Sequence, residues 1–308
     1  MYENDSTDNS KLILEKLDKL GICQYKAWPR YQGIVPQRSA YNDAIQTHSQ
    51  SYKWVCFLDL DEFLVLKSFN TIQDCIKSFS DKADSIVINW LMFGSLGHSN
   101  YTPEPVTQRF TKCADYSSPI HKHMKSISKI DSIEVLDIHI PQLKPNSRYF
   151  HIDGTELHFG ANPTLEHIKG KGHINHKPAQ INHYQSKSLE EYKCRKLKGR
   201  ATVDERSPES NLKPGDFDRT NSYCNQTENL DILATISTFN DKIDFIYQSL
   251  GEKEVYLEQF KTFIQSEASR CDNLLKSPTP INQPTMPKIS RVPLWAPEAV
   301  GKISEFLM

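Results

Sequence analysis

The segment Asp59-Leu60-Asp61-Glu62 follows directly on the apolar run Trp54–Leu58. Two carboxylates at i and i+2, just past the carboxyl end of a strand, lie where open α/β sheets bind their ligands. Carboxylate oxygens are hard donors, suited to Mn²⁺ or Mg²⁺ carrying a diphosphate. A solvated strand-end turn would show the same spacing. The apolar run before the motif and the return to apolar residues at Phe63-Leu64 favour the site.

Two further segments carry polar groups in usable patterns. Tyr2–Asn9 (YENDSTDN) is an acidic, turn-forming run ahead of a helix. It reads as an ordinary helix cap, or as a nucleoside site in which a carboxylate or amide accepts from a base N–H. Ile181–Tyr184 is a short strand ending in His183, and it leads into Lys193, Lys196 and Arg200 on one helical face. A strand-end histidine with such a face can hold a metal-bound diphosphate; the alternative is a solvated basic helix. Zinc through His121-x-His123 or His173-x-x-His176 is not expected, since neither pair has a cysteine or carboxylate at a usual spacing. A haloacid-dehalogenase-type opening is set aside, because Phe63 stands where that motif needs a hydroxyl or Val and other βα units precede it.

The elements that must position these residues follow from periodicity. Ser10–Leu20 has an apolar helical face and stops at Gly21. Pro36 opens a helix over Gln37–His48. Trp54–Leu58 and Ser85–Trp90 read as strands buried on both faces, with a helix at Ile72–Ser78 between them. This alternation indicates α/β with a mostly parallel sheet. Val106–Phe110, Lys125–Ile130 and Ile133–His139 read as short β runs. Ser188-Leu-Glu-Glu191 is a capping box, and the helix it opens closes at Gly199. Helices are expected near Asn229–Thr238, Lys242–Leu250 and Glu252–Ser266. A Pro-rich linker and a short helix at Pro297–Leu307 end the chain.

Composition excludes several classes. In 308 residues, 37 Lys+Arg nearly balance 38 Asp+Glu, for a net charge of -1. That gives no drive toward nucleic acid. No apolar run reaches the ~20 residues of a membrane helix, which leaves only peripheral membrane contact open. The start of the chain is neither a signal nor a transit peptide. Seven cysteines without a CxxC pair indicate reduced thiols in a cytoplasmic setting, and the N-x-S/T matches at Asn4, Asn100 and Asn225 are then incidental.

Taken in order, YENDSTDN (2–9), AYNDAI (40–45), KWVCFLDLDEFLVL (53–66), NWLMFGSLGH (89–98) and INHYQSKSLEEYKCRKLKGR (181–200) resemble the family 92 glycosyltransferases and their bacterial family-2-like relatives. The resemblance covers roughly residues 2–235. It implies a GT-A fold: a Rossmann-like mixed sheet flanked by helices, here with a helical C-terminal extension. The chain then divides into a GT-A-like domain at 1–235, a helical extension at 236–275, and a Pro-rich linker with a short helix at 276–308.

The same resemblance implies a metal-dependent transferase. It would move a sugar from a nucleotide-diphosphate donor, a UDP-sugar, to a hydroxyl of a glycan or polysaccharide precursor, with inversion. Asp59, Asp61 and His183 would hold Mn²⁺ or Mg²⁺. Glu3, Asn4, Asp5 and Ser6 would lie at the nucleoside, Gly94 and Ser95 at the donor sugar, and Lys196 at the diphosphate. The family's usual Glu-Asp base pair is missing between Gly94 and His183, so His139 and Asp137 are the base candidates. The family's first βα unit normally precedes the Tyr-Glu-Asn-Asp-Ser segment, and here Met1 adjoins it. A truncated domain with an open sheet edge beside Trp54–Leu58 is therefore expected. The alternative function is a non-catalytic pseudo-glycosyltransferase or binding protein.

Overall fold

A computed structural model of the chain describes residues 1–159, 173–198, 215–235, 244–249, 251 and 253–276. The strand that organises it is Ser85–Met92, in which every residue is buried. Burial on both faces is what its mostly apolar sequence, interrupted only by Ser85 and Asn89, dictates. In chain order the strands are β1 (Tyr2–Glu3), β2 (Lys26–Ala27), β3 (Trp54–Cys56), β4 (Glu62–Leu66), β5 (Ser85–Met92), β6 (Lys112–Cys113), β7 (Met124–Lys129), β8 (Ile133–Val135), β9 (Gln142–Leu143), β10 (Tyr149–His151), β11 (Glu156–Leu157), β12 (Ala179–His183) and β13 (Thr227–Glu228). The helices named here are α1 (Ser10–Lys19), α2 (Pro36–His48), α3 (Ile72–Phe79), α4 (Val106–Arg109), α5 (Leu189–Lys198), α6 (Asp216–Cys224) and α7 (Lys253–Lys276).

One edge of β5 pairs antiparallel with β7, from Ser85↔Ser128 to Asn89↔Met124. The other edge takes β10 and then β12, both parallel, with His183 opposite Met92. β4 adds antiparallel to β12, β11 to β10, and β3 to β7. The sheet is therefore mixed, with more antiparallel pairing than the helix–strand alternation indicated. The mixed sheet and the helical C-terminal region agree with the GT-A class.

The main core lies on one face of β5. Ile86, Ile88, Trp90 and Met92 pack there with Cys75 and Phe79 of α3 and with Ile127, Phe150 and Ile181. Each such aliphatic side chain contributes about 1.5–3 kcal/mol of burial. α3 begins where Thr71 Oγ1 accepts from Asp74 N–H at 3.1 Å. α5 begins with the expected capping box: Ser188 Oγ and N–H both donate to Glu191 Oε2, at 2.6 and 3.1 Å. The same Glu191 takes a two-pronged, buried ion pair from Arg109 at 2.8 and 2.9 Å.

Three expectations are corrected. Trp54–Leu58 is not a strand buried on both faces. Only Trp54–Cys56 is extended, and among the described residues it pairs with β7 alone. Val55 and Phe57 are half-buried, and Leu60 is 82 % exposed. Val106–Phe110 is not a β run: Pro105 starts a single helical turn whose Phe110 N–H returns to Val106 O. The last helix runs ten residues past Ser266 to Lys276 and packs along α5. Cys194 Sγ donates to Ile264 O at 3.3 Å, and Lys193 pairs with Asp272 at 2.7 Å. Arg200, the expected linker and the expected helix at Pro297–Leu307 lie outside the described residues.

Candidate active site at the Asp61 and His183 strand ends

The sheet register brings the two ends of the sequence pattern together. β4 starts at Glu62, immediately after Asp61, and its Glu62 stands opposite His183, the last residue of β12. Tyr184 N–H donates to Asp61 O at 2.9 Å and closes the pairing. His183 Nε2 thereby lies 3.7 Å from Asp61 Oδ1. Lys187, in a left-handed turn (φ 54°) before α5, brings Nζ to 3.9 Å from Asp61 Oδ2. Burial drives the His183 pKa down to about 4, against the pull of the Asp61 carboxylate. The ring is therefore neutral at neutral pH.

Asp59 faces a different set of partners. Gln37 Nε2, from the first turn of α2, donates to its Oδ1 at 2.7 Å. Lys125 Nζ lies 3.4 Å from its Oδ2. Lys125 is fully buried, and its ammonium also lies 3.4 Å from Glu62 Oε2 and donates to Ile138 O at 3.1 Å. A lysine survives such burial only when it is paired in this way. Glu62 Oε2 accepts from Asp59 N–H at 3.0 Å, which fixes the turn between the two aspartates. Burial lifts the Glu62 pKa to about 7, with Lys125 opposing. Glu62 and Lys125 were not singled out from the sequence. The signal was present: an acid directly after Asp-x-Asp, and a lysine inside an alternating β run.

Beside this cluster stands Trp90. Its ring lies 4.3 Å from that of His183, 5.0 Å from His139 and 5.1 Å from His123. Trp90 Nε1 and the Nδ1 atoms of His123, His139 and His183 are all buried without a hydrogen-bond partner. Buried polar atoms are nearly always satisfied, so four orphans around one indole mark a place for water or ligand atoms. Burial, helped by Lys125, lowers the His139 pKa to about 3. Asp137 and His139 line a small cleft with Val55 and Phe57. Arg38 of α2 lies 3.7 Å from Asp137 Oδ1.

The sequence model of glycosyltransferase family 92 matches residues 1–221, well over half of the chain. The chain belongs to glycosyltransferase family 92. Curated relatives include a family 92 protein of rice (Oryza sativa subsp. japonica), 24% identical over 156 residues, or 49% of this chain and 26% of that protein. Another is a family 92 protein of Ricinus communis, 24% identical over 158 residues, 50% of this chain and 28% of that protein. The matched segments span little more than a quarter of those relatives.

In this family 92 chain the remaining predicted site residues have other neighbours. Glu3 is buried and accepts from Ser6 N–H through Oε1. Asn4 Nδ2 donates to Trp28 O at 2.8 Å, and Asp5 Oδ2 accepts from Arg30 N–H at 2.9 Å. These groups fold the 2–9 turn onto β2, and α2 connects that turn to Asp59 through Gln37. Gly94 approaches α6 so closely that a Cβ there would lie 2.2 Å from Asn225 Oδ1 and 2.6 Å from Cys224 O. Ser95 N–H donates to Asn221 Oδ1 at 2.7 Å, and the Ser95 side chain is buried. Lys196 pairs with Asp216 at 3.5 Å and lies over the Tyr192 ring. The basic face of α5 is thus met by acids of α6 and α7, a meeting of distant segments that charge periodicity could not reveal.

Proposed function

We propose that the chain is a metal-dependent glycosyltransferase that moves a sugar from a nucleotide-diphosphate donor to a hydroxyl of a glycan or polysaccharide precursor. The observation that carries this reading is the approach of His183 to Asp61 at the strand ends, beside the unsatisfied Trp90 cluster. A carboxylate oxygen and a neutral imidazole nitrogen converging from two strands suit Mn²⁺ or Mg²⁺. Asp61 and His183 would hold the ion, with Asp59 as the third donor. The ion would supply charge neutralisation for the leaving diphosphate.

The chain's own residues support the other requirements. Lys187 adds positive charge beside Asp61, and Lys125 fixes the aspartate turn from below. Inversion needs a base for the acceptor hydroxyl. Of the two candidates, Asp137 suits the role better. A His139 ring with its pKa near 3 is a poor proton acceptor at neutral pH, and its free Nδ1 suits hydrogen bonding to substrate instead. No helix among the described residues is long and apolar enough to cross a membrane.

A second reading, a non-catalytic binding protein, draws on one observation: Asp59 is already engaged by Gln37 and Lys125. Incubation with a panel of UDP-sugars in Mn²⁺ or in chelator separates the two. Nucleotide release that requires Mn²⁺ supports the transferase. Binding of UDP without release from any donor, with or without acceptor glycans, supports the second reading.

A further inference from the structure

On the opposite face of β5 from Trp90 lies a second cluster with ligand chemistry. We propose that His151, Asp153 and His173 form a divalent transition-metal site of the zinc class, separate from the Asp61 site. His151 ends β10, Asp153 lies in the turn that follows, and His173 comes from the segment leading into β12. One ligand atom from each lies within 4.8 Å of the others. Two imidazoles and a carboxylate are the donor set of many three-ligand zinc sites, which keep a fourth position for water.

The hydrogen bonds around His151 prepare it as a ligand. Asn89 is wholly buried, and its Nδ2 donates to His121 O at 2.9 Å and to His173 O at 3.0 Å. Its Oδ1 is thereby turned to His151 Nε2 at 2.8 Å and can only accept there. The ring proton of His151 therefore sits on Nε2, and Nδ1 carries a bare lone pair. That lone pair faces Asp153 Oδ1, another acceptor, at 3.1 Å, with one long donor, Asp153 N–H, at 3.3 Å. Two acceptors facing one another in a buried place repel, and a cation between them removes the conflict. A ligating histidine held through its other N–H by a buried amide oxygen is the usual outer shell of a zinc site.

The opposite side of the carboxylate is also arranged. Asp153 Oδ2 lies 2.6 Å from His173 Nε2 and accepts from Asn175 Nδ2 at 2.8 Å, while Thr155 N–H donates to Oδ1 at 2.9 Å. The backbone turn is thus fixed independently of any metal. Loading the ion would take His173 in the tautomer that carries its proton on Nδ1, leaving Nε2 as the ligand atom, and would join β10 to the segment before β12. His151 is fully buried and His173 is one-third exposed, so an ion has an approach from solvent. The sequence spacing gave His173 no partner because its carboxylate lies twenty positions earlier, across the sheet.

The test uses the full chain, stripped with chelator and reloaded with Zn²⁺ or Co²⁺ alone. About one tightly held Zn²⁺ per chain is expected, measured by competition with a chromophoric chelator, with Co²⁺ giving visible d–d bands of low-symmetry four- or five-coordination. His173→Ala and Asp153→Asn should each weaken Zn²⁺ binding by at least about 100-fold, and Asn89→Ala by about 10–100-fold. An Asp59→Asn/Asp61→Asn double variant should bind it as the parent does, which keeps this result independent of the transferase reading. Both His173→Ala and Asp153→Asn alter partly exposed groups, and circular dichroism shows whether they fold. No retained Zn²⁺, or retention unchanged in folded His173→Ala and Asp153→Asn, overturns the proposal and leaves the cluster a hydrogen-bonded turn.

Discussion

His183 Nε2 lies 3.7 Å from Asp61 Oδ1 because the antiparallel pairing of β4 with β12 sets His183 opposite Glu62. The contact is therefore a property of sheet register. A one-residue slip would turn His183 to the other face and abolish it.

Lys125 holds the floor of this site, and its loss should be costly. Lys125→Met removes the cation that opposes the rise of the Glu62 pKa, so the buried Glu62 must take up a proton and both groups lose their pairing. A destabilisation of about 3–5 kcal/mol is expected from urea unfolding. Adding Glu62→Gln should recover part of it, since no buried carboxyl then has to be neutralised. Additive losses in the double variant would show that the two groups are not coupled.

Stability should fall in mild acid. Burial places His139 near 3 and His151, His176 and His183 near 4, well below the ~6.5 of an unfolded histidine. Between about pH 6.5 and 4 the unfolded chain binds protons that the native chain excludes. The histidines' contribution is complete above that window and is lost as pH falls through it, by up to ~1.4 kcal/mol per pH unit for each histidine. It outweighs the opposite contribution of the single Glu62, whose pKa is raised to about 7. Urea midpoints at pH 7.5, 6 and 5 in the presence of chelator check this. Equal midpoints would contradict it.

Gly94→Ala should destabilise without touching the site chemistry. The added methyl meets a backbone carbonyl, Cys224 O, that cannot swing aside. About 1–3 kcal/mol is expected from overpacking, read as a lower melting temperature. A wild-type melting temperature would mean that α6 is free to move away.

Lys196→Glu sets a carboxylate beside Asp216 at the meeting of α5 and α6. It should lower the melting temperature by a few degrees and leave the donor KM unchanged. A raised KM at unchanged stability would return Lys196 to the diphosphate.

The sequence was informative wherever a local rule decides structure. The capping box at Ser188–Glu191 and the wholly buried Ser85–Met92 strand are both readable from residue type and spacing. So was the arrival of His183 at a strand end, whereas Asp61 stands immediately before β4 and five residues past the short β3, not at the end of a Trp54–Leu58 strand. What escaped depends on partners distant in the chain. The apolar run Trp54–Leu58 has the composition of a central strand, yet a strand's burial depends on what lies on its other side. Here Leu58 and Leu60 are exposed. The basic stripe of α5 resembled a ligand face because Asp216 and Asp272 could not be foreseen as its neighbours. The Lys125–Glu62 pairing was hidden for the same reason: each residue gives a local signal, but only the assembled sheet brings the two together.

The central claim is that Asp61 and His183 serve a donor-bound metal in a glycosyl transfer. The most direct measurement is Mn²⁺-dependent nucleotide release from the best UDP-sugar by the parent chain and by Asp61→Asn, with melting temperatures taken alongside. The predicted result is turnover that chelator abolishes and that Asp61→Asn reduces by at least about 100-fold, with stability within ~0.5 kcal/mol of the parent. Turnover that persists in Asp61→Asn, or that is indifferent to metal, would contradict the account.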